Sequence, residues 1–464
     1  MTTAVTPTPI PGLLVVGIDL HVDGRGWFRE TWQRERMVAS GLPDFAPVQH
    51  NVSFNHRRGT TRGFHAEPWD KLVAVASGRA FGAWVDLREG PGFGTTFTIP
   101  LEPSVAVFVP RGVGNAYQTL EADTAYSYLV NAHWSPEASY TAMDLADPVV
   151  AIRWPVPLSC AEMSEKDRRN PQLADVTPVP PRRTLVLGAD GQVGRALTRA
   201  FPWARAVGRA ELDVTDARSL DAVAWGDYDV VLNATAFTAV DAAESEPCRT
   251  TAWQVNAAAP AQLARLAREH RFTLVHYSTD YVFDGTRDEH AEDEPLSPLG
   301  AYGQSKAAGD LAVSTAPAHY LLRTSWVVGD GPNFVRTMQG LAAGGACPSV
   351  VEDQVGRLTF ADELARATRH LLESRAAYGT YNVSNAGPSM SWADVARAVY
   401  QHSGRSLHDV TGTSTAAYSV DRALAPRPRH STLDLAKLRG TGFEPEDGRT
   451  ALERYSRRAA ASGP

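Results

Sequence analysis

The chain has 464 residues, of which 43% are hydrophobic, so it is long enough for two or three domains that each bury a core. Its formal net charge of −7 argues against a large basic face for nucleic acid, because phosphate binding needs clustered lysine and arginine. Three widely separated cysteines argue against a disulfide framework, and no segment reaches the roughly 18 apolar residues that cross a membrane, so we expect a cytoplasmic protein.

Short strand-like runs occupy the first part of the chain. Examples are residues 71–76, 80–87 and 104–109, and glycine or proline separates such runs at intervals of roughly 8 to 15 residues. This spacing is typical of an all-β barrel or sandwich. Residues 1–167 are therefore predicted to form one all-β domain.

A proline-rich segment follows at residues 168–183, which read RRNPQLADVTPVPPRR. It contains four prolines, no apolar periodicity and charges at both ends. This composition predicts a linker, which the adjacent Pro180 and Pro181 keep semi-extended. The second domain is thus expected to begin at residue 184.

After this segment the pattern changes to apolar strands that alternate with helices. Strand-like runs at 184–187, 229–232 and 273–276 accompany a long helical stretch around 247–270. Alternation of this kind predicts a parallel sheet with helices on both faces. Residues 184–464 are therefore predicted to form an α/β domain.

The turn after the first of these strands is rich in glycine. It contains Gly188, Gly191 and Gly194, with Gln192 and Val193 between them, and it opens a helix. Such a turn lets the backbone approach a pyrophosphate and points helix N–H groups at it. A tight turn without a ligand is the alternative interpretation.

About 20 residues further on lies Arg209, where a carboxylate would bind the ribose of NAD. An arginine at this point accepts a 2′-phosphate, so NADPH is favoured, with NADH left open. Asp213 close by is a further cofactor-binding candidate. A solvated surface arginine is the alternative for Arg209.

Thr279, Tyr302 and Lys306 form a candidate catalytic set. Thr279 ends a predicted strand, and open α/β folds bind ligands at that edge of the sheet. Tyr302 and Lys306 are four residues apart, so they lie on one face of a helix. The ammonium group is expected to favour tyrosinate and to bring the phenol pKa down from about 10.

These motifs resemble the extended short-chain dehydrogenases, and within them the dTDP-4-dehydrorhamnose reductases. The similarity runs from about residue 184 to the end and includes GADGQVG, HYSTDYVFDG, YGQSK and RTSWVVG. The resemblance implies a Rossmann domain with a small C-terminal substrate lobe. It also implies that Tyr302 donates a proton to the substrate oxygen, while Lys306 holds the tyrosine and the nicotinamide ribose and Thr279 orients the carbonyl.

The same resemblance assigns four further residues. Phe237 and Thr238 lie in the loop beside the cofactor. Arg323 and Trp326 lie in the segment that lines the sugar-nucleotide pocket, although a buried core position is an equal alternative for Trp326. The chain departs from the family at residues 356–359, which read Gly-Arg-Leu-Thr where a G-x-P-T turn is common.

The first half resembles the dTDP-4-dehydrorhamnose 3,5-epimerases, which are jelly-roll proteins of the cupin type. The similarity spans roughly residues 10–170 and includes Arg62-Gly-Phe-His65 and the segments 24–30, 49–51 and 164–167. Cupins often bind a metal through an H-x-H segment, but residues 65–67 contain one histidine only, so no metal is expected. By analogy this domain forms a homodimer.

The chemistry of epimerisation explains the residue types of the first half. A base removes a proton beside a ketone, and the enolate is stabilised until an acid returns a proton to the opposite face. By resemblance His65 is the base and Asp167 holds its imidazole. Lys71 stabilises the enolate and Tyr128 is the acid. The same resemblance assigns binding of the dTDP-sugar to Arg25, Glu30, Gln49, Asn51, Arg62, Asn115 and Trp134.

Together the two resemblances imply a fused enzyme that makes dTDP-L-rhamnose from dTDP-4-dehydro-6-deoxy-glucose, by epimerisation and then NADPH-dependent reduction. One alternative is a related deoxysugar that is epimerised at a single carbon, since Asn115 stands where the epimerases usually have a histidine that titrates. Another alternative is a first half that binds the sugar nucleotide or dimerises without catalysing a reaction.

Overall fold

A computed structural model describes residues 4–134, 140–181 and 183–461 of the chain. The chain divides into two compact units, Met1–Pro181 and Arg182–Pro464. Among the described residues, no helix combines the length and the apolar character that crossing a membrane requires. Parts of the predicted domains, residues 1–3, 135–139, 182 and 462–464, lie outside the described residues.

The regular secondary structure of the first unit is mainly β-strand. Its strands and its helix are β1 (Val5–Pro7), β2 (Leu14–Gly17), β3 (His21–Asp23), β4 (Gly26–Phe28), α1 (Arg34–Ala39), β5 (Gln49–Asn55), β6 (Thr61–Ala66), β7 (Lys71–Ser77), β8 (Ala80–Asp86), β9 (Thr96–Leu101), β10 (Val105–Val109), β11 (Val113–Thr119), β12 (Thr124–Val130) and β13 (Thr141–Ala142). The strands predicted at 71–76, 80–87 and 104–109 are therefore present as β7, β8 and β10.

Two antiparallel sheets build this unit. One has the order β1-β2-β10-β7-β12-β5 and the other β13-β6-β11-β8-β9. Alternate residues of facing strands pack between the sheets, because successive side chains of a strand point to opposite faces. The resulting core includes Val73, Trp84, Val107 and Tyr126.

A second core lies on the other face of the five-stranded sheet. There Phe64 and Val85 pack against Met143, Leu173 and Val176. Most of the segment predicted as a linker, residues 168–183, thus belongs to the first unit. The segment contains a short 3-10 helix, Leu173–Asp175, and two of its apolar side chains are buried, which the composition alone did not indicate.

The second unit alternates strands and helices. Its elements are β14 (Arg183–Leu187), α2 (Gln192–Ala200), β15 (Arg205–Val207), α3 (Ala217–Asp221), β16 (Tyr228–Asn233), α4 (Cys248–Trp253), α5 (Ala259–His270), β17 (Thr273–Thr279), α6 (Ala301–Val313), β18 (His319–Thr324), β19 (Val327–Val328), α7 (Phe334–Ala343), β20 (Ser349–Val351), β21 (Val355–Gly356), β22 (Thr359–Phe360), α8 (Ala361–Glu373), β23 (Gly379–Asn382), β24 (Met390–Ser391), α9 (Trp392–His402), β25 (Thr411–Thr413), α10 (Thr415–Tyr418), α11 (Ala436–Arg439) and α12 (Gly448–Ala461).

A six-stranded parallel sheet in the order β15-β14-β16-β17-β18-β23 forms the centre of this unit. Helices cover both faces, with Leu263 of α5 in the core on one side and Leu364 of α8 in the core on the other. The strand order reverses between β14 and β16, so a crevice opens there at the carboxyl edge of the sheet. A smaller core joins α7, α9 and α12 through Met338, Val399 and Leu452.

We expect Leu173→Ala to destabilise the first unit by about 2 to 5 kcal/mol, because Leu173 is buried in its second core. Urea unfolding followed by tryptophan fluorescence measures this change. The matched control is Val149→Ala, since Val149 is 72% exposed in the same unit. Equal midpoints for the two variants would show that residues 168–181 are a separate linker after all.

Candidate active sites

An irregularity in the pairing of β6 with β11 shapes the candidate site of the first unit. Arg62 lies opposite Tyr117, and His65 lies opposite Asn115, so three steps along β6 correspond to two along β11. Opposite residues of an antiparallel pair share a face, as do residues two apart. The bulge therefore turns Arg62 and His65 toward the same face, which a regular strand would prevent.

His65 is held by a buried carboxylate. Its Nε2 lies 2.8 Å from Oδ1 of Asp167, whose backbone N–H bonds the hydroxyl of Ser164. Burial alone would raise the pKa of Asp167, but the hydrogen bond and charge of His65 outweigh it and lower that pKa. The carboxylate thus stays ionised and fixes the orientation of the imidazole, as the sequence implied.

Lys71 has an acidic partner that sequence reasoning did not assign. Its Nζ lies 2.8 Å from Oε2 of Glu67, which also accepts a hydrogen bond of 3.0 Å from the indole N–H of Trp69. Lys71 is 4% exposed, so this charge is desolvated and paired within the sheet. The signal available in the sequence was Glu67 itself, an acidic residue four positions before Lys71.

The other predicted groups of this site face it from the six-stranded sheet. Asn51 pairs with Tyr128, and Gln49 and Lys71 both pair with Val130, so all four polar side chains share one face. Burial raises the pKa of Tyr128, and the negative charge of nearby Glu67 adds to the rise. A phenol in this environment keeps its proton and suits the role of an acid.

Gln49 connects two further predicted residues. Its amide N–H donates to Oδ1 of Asn51 at 3.0 Å, and its Oε1 accepts from the backbone N–H of Trp134 at 3.3 Å. The side chain of Trp134 is exposed, which leaves the indole face available for stacking. These three residues therefore form one group beside Tyr128.

Asn115 is already engaged inside the unit. Its Oδ1 accepts a hydrogen bond of 3.1 Å from the hydroxyl of Tyr126, whose ring stacks on Tyr117 at 3.9 Å. Asn115 thus lies opposite His65, but its side-chain carbonyl accepts a hydrogen bond from the buried Tyr126.

Two predicted binding residues lie elsewhere. Arg25 projects from the β3–β4 hairpin and binds Asp23, and Glu30 pairs with Arg36. None of the hydrogen bonds found among residues 4–134 and 140–181 joins Arg25 or Glu30 to His65.

In the second unit the glycine turn brings the start of α2 close to β14. A side chain at Gly194 would overlap the backbone oxygen of Gly188, and one at Gly188 would crowd Ala234. The N-cap residue of α2, Gly191, supplies no capping side chain, so the first N–H groups of the helix face the crevice. The glycines are therefore required by close approach, and the turn is suited to binding an anion.

A cavity of about 610 Å³ opens at this edge of the sheet. It brings together Thr279 at the end of β17, Tyr302 and Lys306 on α6, and Trp326 after β18. Its other predicted members are Gly191, Gln192, Val193 and Thr238. The motifs separated along the chain thus line one cavity.

The geometry of the catalytic set differs in one respect from expectation. Lys306 Nζ donates to the carbonyl oxygen of Tyr277 at 2.6 Å and lies 3.3 Å from Nε2 of His276. Burial lowers the pKa of Lys306 to about 8, although Asp310 opposes this change. The ammonium form of Lys306 is therefore less favoured than usual, and its hydrogen bond goes to the Tyr277 carbonyl rather than to the phenol of Tyr302.

Tyr302 accordingly does not have the lowered pKa that its spacing from Lys306 predicted. Burial raises the pKa of this phenol, the hydrogen bond with Thr279 lowers it, and the charges of Asp280 and Asp310 raise it again. The net shift is upward. The expectation of a tyrosinate was wrong. It considered the charge of Lys306 alone, whereas burial and the charges of Asp280 and Asp310 raise the pKa of Tyr302.

Asp280 is a cavity residue that the sequence reasoning passed over. It accepts a hydrogen bond of 2.9 Å from Thr279, and its other oxygen, Oδ2, has no hydrogen-bond partner in the described structure. Burial raises the pKa of Asp280 to about 6, although the nearby hydroxyl groups of Ser431 and Thr279 act in the opposite direction. Its place directly after Thr279 in the Ser-Thr-Asp motif was the available signal.

Arg323 is not a cavity residue, contrary to expectation. Its guanidinium donates to Asp310 at 3.1 Å and to the backbone oxygen of Glu292 at 2.9 Å, and the residue is buried. The charge of Arg323 is thus paired with Asp310 in the interior of the unit. Trp326 does line the cavity, and its ring stacks at 3.7 Å on Trp392.

The remaining cofactor candidates flank the crevice. Arg209 is exposed after β15 and pairs with Asp213 at 3.3 Å. Asp213 also accepts from the N–H and hydroxyl of Thr215. The backbone N–H of Phe237 donates to Asn256 at 2.9 Å, and the Asn256 amide donates back to the Phe237 carbonyl, which fixes the loop.

A second cavity of about 540 Å³ shares Tyr281 and Trp392 with the first. Met338 and Leu341 give it an apolar wall, and Arg427 and Asp241 form an ion pair of 2.9 Å at its side. Five separate segments of the chain line it, so no local motif could have indicated it. In neither unit do the described residues contain a group of three His, Cys, Asp or Glu side chains that could hold a metal.

Two family models match the chain. The model described as RmlD substrate binding domain matches residues 182–460, and the model described as dTDP-4-dehydrorhamnose 3,5-epimerase matches residues 7–175. Together they cover both units.

Individual relatives agree with these matches. "Protein RmlC homolog" of Streptococcus pyogenes is 45% identical over 180 residues, which cover 37% of this chain and 90% of the relative. A dTDP-4-dehydrorhamnose reductase of Streptomyces griseus is 38% identical over 283 residues, 58% of this chain and 91% of the relative. The crystal structure of a dTDP-4-dehydrorhamnose reductase from Bacillus anthracis in complex with NADP has 32% identity and a TM-score of 0.55, and covers 59% of this chain and 98% of its own.

We expect Gly194→Ala to destabilise the second unit by about 1 to 3 kcal/mol. The added methyl group would overlap the backbone oxygen of Gly188, which cannot rotate aside as the end of a side chain can. The urea midpoint of this unit measures the effect. Gly340→Ala is the matched control, since Gly340 lies in helix α7 with open space around it, and there alanine should stabilise slightly. Destabilisation of equal size in both variants would refute the close approach.

Proposed function

The chain belongs to the RmlD substrate binding domain family in its second unit and to the dTDP-4-dehydrorhamnose 3,5-epimerases in its first, and we propose that it converts dTDP-4-dehydro-6-deoxy-glucose to dTDP-L-rhamnose. The observation that carries this proposal is that two candidate catalytic sets occur in one chain. One is the His65–Asp167 pair with Lys71 and Tyr128, and the other is Thr279, Tyr302 and Lys306, which line one cavity. In fold terms the units are proposed to be a cupin-like jelly roll and a Rossmann domain.

In the first step His65 removes the proton from the carbon beside the 4-keto group. Asp167 holds the imidazole at 2.8 Å and stabilises the imidazolium that forms. The electron pair moves to the ketone oxygen. Lys71 stabilises the negative charge on this oxygen, and its ammonium group is shared between the oxygen and Glu67. Tyr128 then returns a proton to the opposite face, and its raised pKa keeps that proton available.

In the second step Tyr302 gives its proton to the 4-oxygen while Thr279 orients the carbonyl. The raised pKa of Tyr302 suits a group that must arrive protonated. A nicotinamide bound in this cavity would supply the hydride that reduces the carbon, so that the ketone becomes a 4-hydroxyl group and the cofactor is oxidised.

The residues present fit NADPH. The turn from Gly188 to Gly194 has no side chain at its three glycines, which lets backbone approach a pyrophosphate, and the start of α2 offers uncapped N–H groups. Arg209 is the proposed partner of the 2′-phosphate, with Asp213 holding the arginine. The side of the cavity formed by Thr238, with Phe237 next to it in the chain, is proposed to flank the nicotinamide half, and NADH remains the weaker alternative.

The second cavity is proposed to hold the nucleotide of the substrate. It joins the catalytic cavity at Tyr281 and Trp392, and its apolar wall suits a flat base. Arg427 supplies a cation beside it, and that charge is shared with Asp241. In the first unit the group of Gln49, Asn51 and Trp134 is proposed to bind the same nucleotide, and Arg62 its diphosphate.

We also propose that two copies associate through the first unit. β5 is the last strand of its sheet, and its outward residues Val52 and Phe54 are exposed. Trp27 and Phe28 of the β3–β4 hairpin are exposed as well, and a two-stranded hairpin is marginally stable in water by itself. An uncovered edge beside apolar side chains favours pairing with a second copy.

A cytoplasmic location also remains a prediction.

The full chain with the 4-keto sugar nucleotide and NADPH in deuterium oxide is expected to give dTDP-L-rhamnose with deuterium at both carbons beside C4. NMR and mass spectrometry of the product measure this. His65→Ala should lower the exchange about 10²- to 10⁴-fold, because the base is lost. Tyr302→Phe should leave the exchange intact and stop NADPH consumption, which makes it the matched control.

Deuterium at a single carbon would replace the rhamnose route with the single-epimerisation alternative. Binding of the sugar nucleotide by the first unit without any exchange would make that unit a non-catalytic domain. NADPH consumption that survives His65→Ala at full rate would show that the first step is not needed.

The wild-type chain should sediment at twice the mass of one chain, and Phe54→Asp should sediment as a single chain, because a charge would be buried in the pairing edge. Sedimentation equilibrium measures both. Val149→Asp is the control, since Val149 is exposed away from β5 and the hairpin. A wild-type monomer, or a dimeric Phe54→Asp variant, would contradict the proposed surface.

A further inference from the structure

Strand β5 reverses the usual pattern of a strand, because its apolar side chains Val52 and Phe54 are exposed. The alternate residues face the interior of the first unit, and all of them are polar: Gln49, Asn51, Ser53 and Asn55. The proposed function uses the first two of this row. The last of them, Asn55, is 2% exposed, and an amide at that depth needs hydrogen-bond partners.

The orientation of the Asn55 amide is fixed by two backbone groups. Its Nδ2 donates to the carbonyl oxygens of Ser53 and Thr124, both at 3.0 Å, and a carbonyl oxygen is an acceptor only. Turning the amide over would bring its own oxygen against these two oxygens. The Nδ2 side of the amide therefore faces the six-stranded sheet, and Oδ1 faces elsewhere.

Oδ1 of Asn55 is directed at the facing sheet, where it holds Arg62. It accepts a hydrogen bond of 3.2 Å from Nε of Arg62 and one of 3.3 Å from the hydroxyl of Tyr117. Arg62 lies on β6 and Tyr117 lies opposite it on β11. Both hydrogens and both lone pairs of the amide are thus engaged, so Asn55 has no hydrogen bond left for a ligand.

The contact with Asn55 fixes the guanidinium of Arg62 without neutralising it. Arg62 is exposed, and among the described residues it forms no ion pair with a carboxylate. In the same unit Arg88, by contrast, pairs with Asp86 at 2.7 Å. The amide oxygen occupies Nε, and the terminal nitrogens Nη1 and Nη2 are the pair that suits two oxygens of a phosphate.

We propose that Asn55 is a positioning residue of the first site, which holds the guanidinium of Arg62 in place for the diphosphate of the sugar nucleotide. An arginine that is ordered before the ligand arrives does not lose side-chain freedom on binding, so its affinity for the diphosphate is higher. Asn55 itself touches no substrate atom. This inference rests on the proposed epimerase function of the first unit and on the proposed role of Arg62.

A purely structural amide is the alternative, because Asn55 also joins β5 to β12 through Thr124. The two interpretations differ in what they predict for ligands. Loss of a structural amide would weaken all ligands of the site alike or none of them. Loss of an amide that holds Arg62 would weaken only ligands that carry a diphosphate.

The test uses the full chain with the 4-keto sugar nucleotide in deuterium oxide and without NADPH, so that exchange beside C4 reports the first site alone. NMR at several substrate concentrations gives KM and kcat. Asn55→Ala should raise KM about 3- to 10-fold, which corresponds to ordering one flexible side chain on binding. It should leave kcat within about 2-fold, because the diphosphate does not react.

Two competitors of this exchange separate the interpretations. The inhibition constant of dTDP, which carries the diphosphate, should rise in Asn55→Ala by the same factor as KM. The inhibition constant of thymidine, which carries no phosphate, should not change. An equal rise for both competitors, or no rise for either, would overturn the proposal.

Gln118→Ala is the matched control, since Gln118 is also a buried amide of the first unit, with hydrogen bonds to Thr61 and to the backbone of Val156. It should lower the urea midpoint and leave KM unchanged. In an Arg62→Ala background, Asn55→Ala should raise KM no further. A further rise of the same size in this double variant would show that Asn55 does not act through Arg62.

Arg62→Lys decides the question if Asn55→Ala does not fold. Lysine keeps the positive charge but lacks the Nε group that Asn55 holds, so KM should rise, and an unchanged KM would overturn the proposal. A wild-type chain that shows no exchange would refute the proposed epimerisation, and the inference with it. A wild-type chain that exchanges, with Asn55→Ala equal to it, would refute the inference alone.

Discussion

A titratable side chain that leaves water needs a fixed partner, and both sites are organised around that requirement. In the first unit Asp167 holds His65, and Glu67 holds Lys71. Among the described residues of the second unit, no carboxylate forms an ion pair with Lys306, and a backbone carbonyl and the imidazole of His276 lie beside its nitrogen instead. The cation of the first unit thus has a carboxylate partner, whereas burial lowers the pKa of the cation of the second unit to about 8, and this difference fits the two proposed reactions. An enolate needs a cation beside it, whereas a proton donor needs its phenol to stay protonated.

Backbone geometry supplies these partners in different ways. In the first unit a bulge between β6 and β11 turns Arg62 and His65 to one face. In the second unit parallel strands in register put Asn233 beside His276, and the carboxyl ends of β14, β16 and β17 meet at one edge. In the antiparallel sheet a bulge brings the site residues to one face. In the parallel sheet the regular alignment of strand ends brings them to one edge.

Periodicity and spacing predicted the strands, the alternation of the second unit and the approach of Thr279, Tyr302 and Lys306. They predicted these features because each depends on neighbours along the chain. The burial of Leu173 in a supposed linker and the pairing of Arg323 with Asp310 depend on contacts between distant segments, so no local pattern indicated them. The pKa of Tyr302 was predicted in the wrong direction for the same reason, since burial and distant carboxylates decide it.

The hydrogen bond of Lys306 to the sheet has a further consequence for chemical selectivity. An uncharged amine beside a ketone condenses with it, loses water and forms an imine. At Lys306 one N–H is directed at the Tyr277 carbonyl at 2.6 Å, and the residue is buried. An imine nitrogen carries neither of the hydrogens of the amine from which it forms, so condensation would break this hydrogen bond and leave the Tyr277 carbonyl without it. The contact with the sheet backbone therefore opposes a covalent adduct between the lysine and the keto sugar.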